Sequence, residues 1–405
     1  MLSVRDAVQH MLDSVQPISE SETVFIADAV DRVLAQAIHS TVDIPSYDNS
    51  AMDGYAMRAD DVATPQQTLT LVGQALAGHP FRGTLQAGEC IRIMTGAEVP
   101  SSASAVIPQE DTVVDANRSE HILFTAAAKD GQNIRRHGEE LKIGAPVFAA
   151  GHRFTPVDIG LLASLGIADV SVHRRLTVAL FSTGDELVAP GHSKRSDQIY
   201  DSNRFVLHAM LERLGYQVLN LGLIPDNKQE IADAFMVASA RADAIVCSGG
   251  VSVGDADYTK QVIDELGAVG FWKVAMKPGK PFAFGKVNGT WFFGLPGNPV
   301  SATVTFQQLA LPALKRLAGE REQDPVLIQA IAGEPLKKRP GRADFQRGIL
   351  RLEKGENRVY SAGAQGSGML SSLVQGNCLI LLEQDRGHVE AGETVVVQLL
   401  STPIK

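Results

Sequence analysis

Val4, Ala7, Val8, Met11, Leu12 and Val15 recur at helical spacing behind Ser3, a helix-capping residue type, and predict an amphipathic helix over 3–15. A second helical stretch is expected around Ile26–Ala37. From Asp43 to about Glu140 the period changes to short alternating runs such as ECIRIMTG, AVIPQED and HILFTAA, broken by Gly, Pro and Ser, which read as a β-rich module. Four apolar runs of buried-strand length come next: LTVALFS (176–182), QVLNLGLI (217–224), DAIVCS (243–248) and GFWKVAM (270–276). Helical patterns at 202–214, 228–240 and 258–266 separate them, and this alternation predicts a doubly wound, mostly parallel sheet covered on both faces. Asn288-Gly289 marks a hairpin between two further apolar runs, and Asn298 with Pro299 opens a long apolar helix. From about Gln323 onward, short strands and glycine turns return as a C-terminal, barrel-like β domain. The fold class is α/β with β-rich modules. At 405 residues the chain is multidomain, because one core rarely grows past ~250–300 residues.

Composition narrows the function. Thirty-seven Lys plus Arg against 46 Asp plus Glu leave a net charge of −9, which argues against nucleic acid or an anionic membrane as partner. An anionic substrate would need a local cluster of positive charge. Cysteines 90, 247 and 378 are scattered and odd in number, giving neither a disulfide framework nor a metal knuckle. Arg5, Asp6 and Asp13 stand where a signal peptide needs an apolar core, so a cytoplasmic protein is expected. The uncharged stretch 287–314 is interrupted by Pro296, Gly297, Asn298 and Pro299, then Gln307 and Gln308; it reads as strand, turn and buried helix rather than a membrane span.

Ligands of open α/β sheets bind outside the carboxyl ends of the strands. Here those ends carry STGDEL with Asp185 and Glu186, PDN with Asp226, GGVSVGDADY with Asp255 and Asp257, and KPGKP with Lys277 and Lys280. Carboxylates and lysines therefore converge on one rim. As a P-loop, Gly249 to Gly254 lacks the Lys and Ser/Thr that grip phosphate and magnesium. As a nucleophile elbow around Ser252 it needs a later histidine, and only His388 is available. A third reading has Ser248, Gly249, Gly250 and Ser252 admitting a phosphate against backbone N–H groups, with a nearby acid holding a metal. A bland alternative is a turn that merely permits tight strand–helix packing. The acid pool of Asp185, Glu186, Asp226 and Asp257 suits magnesium, and no H-x-x-x-H pair supports zinc. GRADFQRG contributes Arg342 and Arg347, and AQGSG contributes Ser367, as oxyanion donors. The crowded YDNSAMDGYA loop with Asp53 has the character of a site. Arg135 and Arg136 in GQNIRRHGEE face Glu139 and Glu140, a salt-bridged connection on the plainer reading, and Thr95 in IRIMTGA is either a ligand donor or a strand end.

Taken together, PSYDNSAMDGYA, IRIMTGA, GQNIRRHGEE, FSTGDEL, IYDSN, SGGVSVGDADYTK, MKPGKPFAFG, GLPGNPVSAT and GRADFQRG closely resemble the molybdopterin molybdenumtransferase family. SGGVSVGDADY alone would indicate only the wider molybdopterin-binding domain, shared with adenylyltransferases. The resemblance implies a first domain from 1–40 and 142–173, an inserted module at 41–141, an α/β molybdopterin-binding domain at 174–323 and a C-terminal β domain at 324–405. It implies an elongated homodimer, with adenylylated molybdopterin and molybdate as substrates, AMP as leaving group, magnesium or a similar divalent ion, and a molybdopterin adenylyltransferase as a further partner. By motif, Asp53 and Thr95 would come from the second subunit. Glu186, Asp226 and Asp257 would surround metal and phosphate as metal ligands and catalytic acids. Lys273, Lys277 and Lys280 would face the anion, Pro296 and Pro299 would shape the pocket, Arg347 and Ser367 would hold molybdate, and Arg135 would join the substrate contacts. Rival readings are an adenylyltransferase consuming ATP and a non-catalytic scaffold that binds the pterin without turnover.

Overall fold

The computed structural model describes residues 1–115, 118–250, 258–322 and 324–400. They form two compact units, one of Met1–Gln36, Ala150–Ile159 and Asp169–Lys405, the other of Ala37–Ala149 and Gly160–Ala168.

The larger unit is built on a six-stranded sheet in the order Gln217–Ile224, Thr177–Thr183, Ala244–Ser248, Thr290–Leu295, Pro281–Val287, Gly267–Lys273. The first four strands are parallel, and the last two join by antiparallel steps. Two reversals restore direction, so Gly267–Lys273 ends at the same rim as the parallel four. The strand expected at 270–276 is shifted for a visible reason. After Lys273 the chain leaves the sheet: Val274 bridges Leu2, and Met276–Lys277 pairs in parallel with Ala343–Asp344.

Alternating side chains face opposite layers, so the central strands are apolar throughout. Val178 and Leu180 pack with the helices Val4–Ser14, Asn203–Arg213 and Pro299–Thr305. The last of these continues through a wider turn, Phe306–Ala310, into Leu311–Leu317. Ala179 and Phe181 face the helices Lys228–Arg241 and Tyr258–Leu266. There Phe235 meets Phe181 and Phe292 edge-on at 5.3 and 5.4 Å, and each such ring stabilises the fold by ~1.5–3 kcal/mol through burial. Ser3 caps the first helix, its hydroxyl accepting from the Asp6 N–H at 3.1 Å.

The helix expected over Ile26–Ala37 does not form. A single 3-10 turn, Ile26–Asp28, is followed by Asp31 at φ 62°, and Val33 and Leu34 then bridge Arg153 and Val172. A residue in the left-handed region ends a right-handed helix, and pairing with neighbouring strands buries both apolar side chains instead.

The C-terminal strands close on themselves. Ala343–Glu353 pairs with Glu356–Ser361, then Leu327–Ala332, Thr394–Leu399 and Cys378–Leu382 continue the sheet, and the last returns to Ala343–Glu353. Val359, Cys378, Ile380, Val395 and Val397 fill this five-stranded barrel. The smaller unit holds a six-stranded sheet in the order Ala105–Pro108, Gly54–Met57, Glu89–Ile93, Gln67–Ala75, Arg118–Phe124, Thr112–Asp115. Among the described residues, no helix is long and apolar enough to cross a membrane.

Candidate active site

A cleft of about 820 Å³ opens in the larger unit at the carboxyl rim of the sheet. Thr183, Gly184 and Glu186 reach it from the end of Thr177–Thr183, and Asp226 from the end of Gln217–Ile224. Gly249 and Gly250 come directly after Ala244–Ser248, and Pro296, Gly297 and Asn298 directly after Thr290–Leu295. Lys277 and Lys280 stand before Pro281, and Arg342, Gln365 and Ser367 close the cleft from the C-terminal domain. The glycines at 249 and 250 are needed for shape as well as φ, at 95° and 63°. A Cβ on Gly249 would lie 2.6 Å from the Thr183 carbonyl oxygen, and one on Gly250 would collide with Thr259.

Like charges crowd one wall. The Asp226 N–H donates to Asp185 Oδ1 at 3.1 Å. Burial of the Asp226 carboxyl, together with the negative charges of Asp185 and Glu186, holds it above the usual carboxylate range. On the facing wall, Lys277 Nζ lies 3.2 Å from Asp344 Oδ2, which also accepts from Gln346 Nε2 at 3.1 Å. Lys277 is thereby held in place but partly neutralised, whereas Lys280 makes no ion pair among the described residues.

Other expected residues stand elsewhere. Ser252 and Asp257 lie outside the described residues. Lys273 is exposed on the edge strand and not on the cleft wall, and Pro299 sits behind the wall as the first residue of its helix. Ser248 is buried beneath the rim, where its hydroxyl accepts from Asn203 Nδ2 at 2.7 Å. Arg347 is also off the wall and only 1% exposed. Its Nε donates to Ser372 Oγ at 2.9 Å and its guanidinium donates to the carbonyls of Gly366 and Ala364 at 3.0 and 3.4 Å. It is a positioning residue for the loop that carries Gln365 and Ser367, and burial lowers its pKa.

Sequence reasoning missed Asn203, which donates to both Ser248 Oγ and the Gly297 carbonyl at 2.7 Å and so ties two rim turns together. It read Asn298 only as a helix cap, whereas the side chain makes no capping bond and the residue lines the cleft. The signal for Gly297 and Asn298 was present, since they form the turn at the carboxyl end of Thr290–Leu295 just as the other rim residues do for their strands.

Glu186 and Asp226 offer oxygen donors on the cleft wall, the ligand type that a magnesium-like ion takes. Among the described residues no three His, Cys, Asp or Glu side chains converge at ligating distance. Glu186 and Asp226 nevertheless place carboxylates on one wall, and neither forms an ion pair among the described residues. That matches an ion held by one or two carboxylates together with substrate phosphate oxygens.

In the smaller unit, Asp53 Oδ1 accepts from both the N–H and the hydroxyl of Thr95, each at 2.7 Å. These bonds hold the half-buried Asp53 carboxyl below the usual range, which favours its ionised form. Arg135 is exposed in a short strand opposite Asn49. Its neighbour Arg136 pairs with Asp48 at 2.7 Å, which fastens the GQNIRRHGEE segment to the YDNSAMDGYA loop.

Three family models match the chain: the MoeA N-terminal region (domain I and II) over 2–166, a probable molybdopterin binding domain over 179–316, and the MoeA C-terminal region (domain IV) over 329–400. The molybdopterin molybdenumtransferase of Haemophilus influenzae is 48% identical over 98% of both chains. That of a Nostoc species is 34% identical over 100% of this chain and 94% of its own. A crystal structure of the molybdopterin biosynthesis moeA protein from Pyrococcus horikoshii OT3 superposes with a TM-score of 0.84 at 28% identity, covering 98% of this chain and 100% of that one.

Proposed function

The chain belongs to the molybdopterin molybdenumtransferase family, and we propose that its rim cleft is where molybdate enters adenylylated molybdopterin and AMP leaves. The observation that carries this site is the meeting of an acidic wall, Glu186 and Asp226, with the lysines Lys277 and Lys280 in one cleft. The substrates are both anionic, so their mutual repulsion is the main barrier to bringing them together. Lys280 and the partly neutralised Lys277 offset it on one side. Ser367 and Arg342, which line the cleft, are read as donors to an oxyanion.

Glu186 and Asp226, with Asp257, are read as the residues that hold magnesium. When bound, the ion neutralises charge on the phosphoanhydride. The glycine turn leaves room for a phosphate close to the backbone. No covalent nucleophile is required. All three cysteines are buried, and burial pushes the Cys90 and Cys378 thiols up to about 12.

The same reading makes the protein a cytoplasmic homodimer, with Asp53 and Thr95 of one subunit completing the site of the other and an adenylyltransferase supplying the substrate. It divides the chain at about 40, 141, 173 and 323, with the first domain discontinuous. The deciding experiment incubates the purified protein with adenylylated molybdopterin and magnesium and tracks AMP with and without molybdate. Molybdate-dependent release with transferable cofactor is the expected result. Intact nucleotide despite tight pterin binding would refute the transferase and leave a scaffold.

A further inference from the structure

The described residues of the cleft wall are charged, neutral polar, proline or glycine, with one exception. Tyr258 is the single aromatic side chain among the described cleft residues, and it remains 43% exposed. Its own helix explains why it is not in the core. Tyr258–Leu266 turns Thr259, Val262 and Ile263 inward, and Thr259 packs beneath Gly250. As the first residue of the helix, one turn before Val262, Tyr258 sits at the margin of that packed face, where its side chain borders the cleft and stays exposed. Its ring and hydroxyl have no stacking, cation-π or hydrogen-bond partner among the described residues. A large apolar ring left bare on a concave wall forgoes the burial that aromatic side chains ordinarily gain.

We propose that the Tyr258 ring is a stacking platform for a flat heteroaromatic ring of the substrate. This rests on the function proposed above, in which the substrate has two such rings, pterin and adenine, joined through phosphate. The acids, lysines and glycine turn address the anionic middle of that molecule and offer its rings no flat face. Tyr258 supplies one beside the glycine turn. Losing the stacked ring should weaken binding about tenfold, equivalent to ~1.4 kcal/mol and within the range of base–aromatic stacking.

The test uses full-length protein with Tyr258→Phe, which keeps the ring, and Tyr258→Leu, which keeps apolar bulk without a π face. AMP, molybdopterin and ringless ribose 5-phosphate are titrated separately by calorimetry. Tyr258→Phe should bind all three as the wild type does. Tyr258→Leu should lose about tenfold for AMP if adenine is the stacked ring, or for molybdopterin if it is pterin, with ribose 5-phosphate unchanged. In turnover the loss should fall on KM rather than kcat. The inference is overturned if Tyr258→Leu binds both ring ligands normally, or if ribose 5-phosphate weakens by the same factor, which would mark a structural role. Wild-type protein that binds AMP and molybdopterin but never releases AMP would refute the transferase reading alone, and the same titrations would still decide the platform.

Discussion

Replacing Arg347 by methionine separates a residue that shapes the cleft from one that touches substrate. Methionine fills most of the buried volume but removes the donors to Ser372 Oγ and to the carbonyls of Gly366 and Ala364. Each buried acceptor left without a partner costs ~1–3 kcal/mol, partly offset because a desolvated cation disappears. With the Ala364 contact weak at 3.4 Å, two substantial losses remain, and a net destabilisation of ~2 kcal/mol is expected. At ~2–4 °C per kcal/mol, the melting temperature should fall by about 4–8 °C. Gln365, Gly366 and Ser367 lose their anchor at the same time, so kcat/KM for molybdate should fall with stability. Arg347→Lys should rescue neither property, because a point charge cannot serve Ser372 and Gly366 on two sides as the guanidinium fork does. Thermal melts and AMP release at graded molybdate give both readouts. A methionine variant with the wild-type melting temperature and a raised molybdate KM, corrected by lysine, would refute the reasoning and place the guanidinium on the anion.

Asp185→Asn should move the acid limb of kcat/KM to lower pH. Activity that needs ionised Asp226 rises as pH passes its elevated pKa, and removing a neighbouring negative charge brings that value down; a limb that stays put would exclude Asp226 as the titrating group. Gly250→Ala should destabilise by ~1–3 kcal/mol, since alanine would be strained at φ 63° and its Cβ would meet the buried Thr259 side chain; an unchanged urea midpoint would contradict this. Asp53→Ala should keep the wild-type melting temperature yet leave adenylylated molybdopterin uncleaved. Co-expressed with Glu186→Gln, it should regain activity as a mixed dimer, and failure to do so would argue against a site shared between subunits.

The rim was legible because its chemistry lies in short turns directly after apolar runs, and parallel topology brings such turns to one edge. Glu186, Asp226, Lys277 and Lys280 came out of that rule. Lys273 also ends its strand at that rim, but on the outermost strand of the sheet, where it is exposed and off the cleft wall. Arg347 looked like an oxyanion ligand because sequence cannot tell an arginine facing a cleft from one buried behind it. Asn203 escaped notice because its importance lies in two long-range bonds, 45 and 94 residues away along the chain. The false helix at Ile26–Ala37 has a similar origin: its apolar residues serve strand bridges to Arg153 and Val172, which no local period reveals.

Met276–Lys277 belongs by backbone pairing to the sheet of the barrel, and its lysine is bonded to Asp344 on that same barrel. The acidic wall belongs to the parallel strands. Lys277 is therefore held from both sides, by its short connections to Lys273 and Pro281 of the six-stranded sheet and by its pairing to the barrel. One pair of strands, Met276–Lys277 with Ala343–Asp344, thus makes the barrel and the six-stranded sheet mechanically continuous at the edge of the cleft.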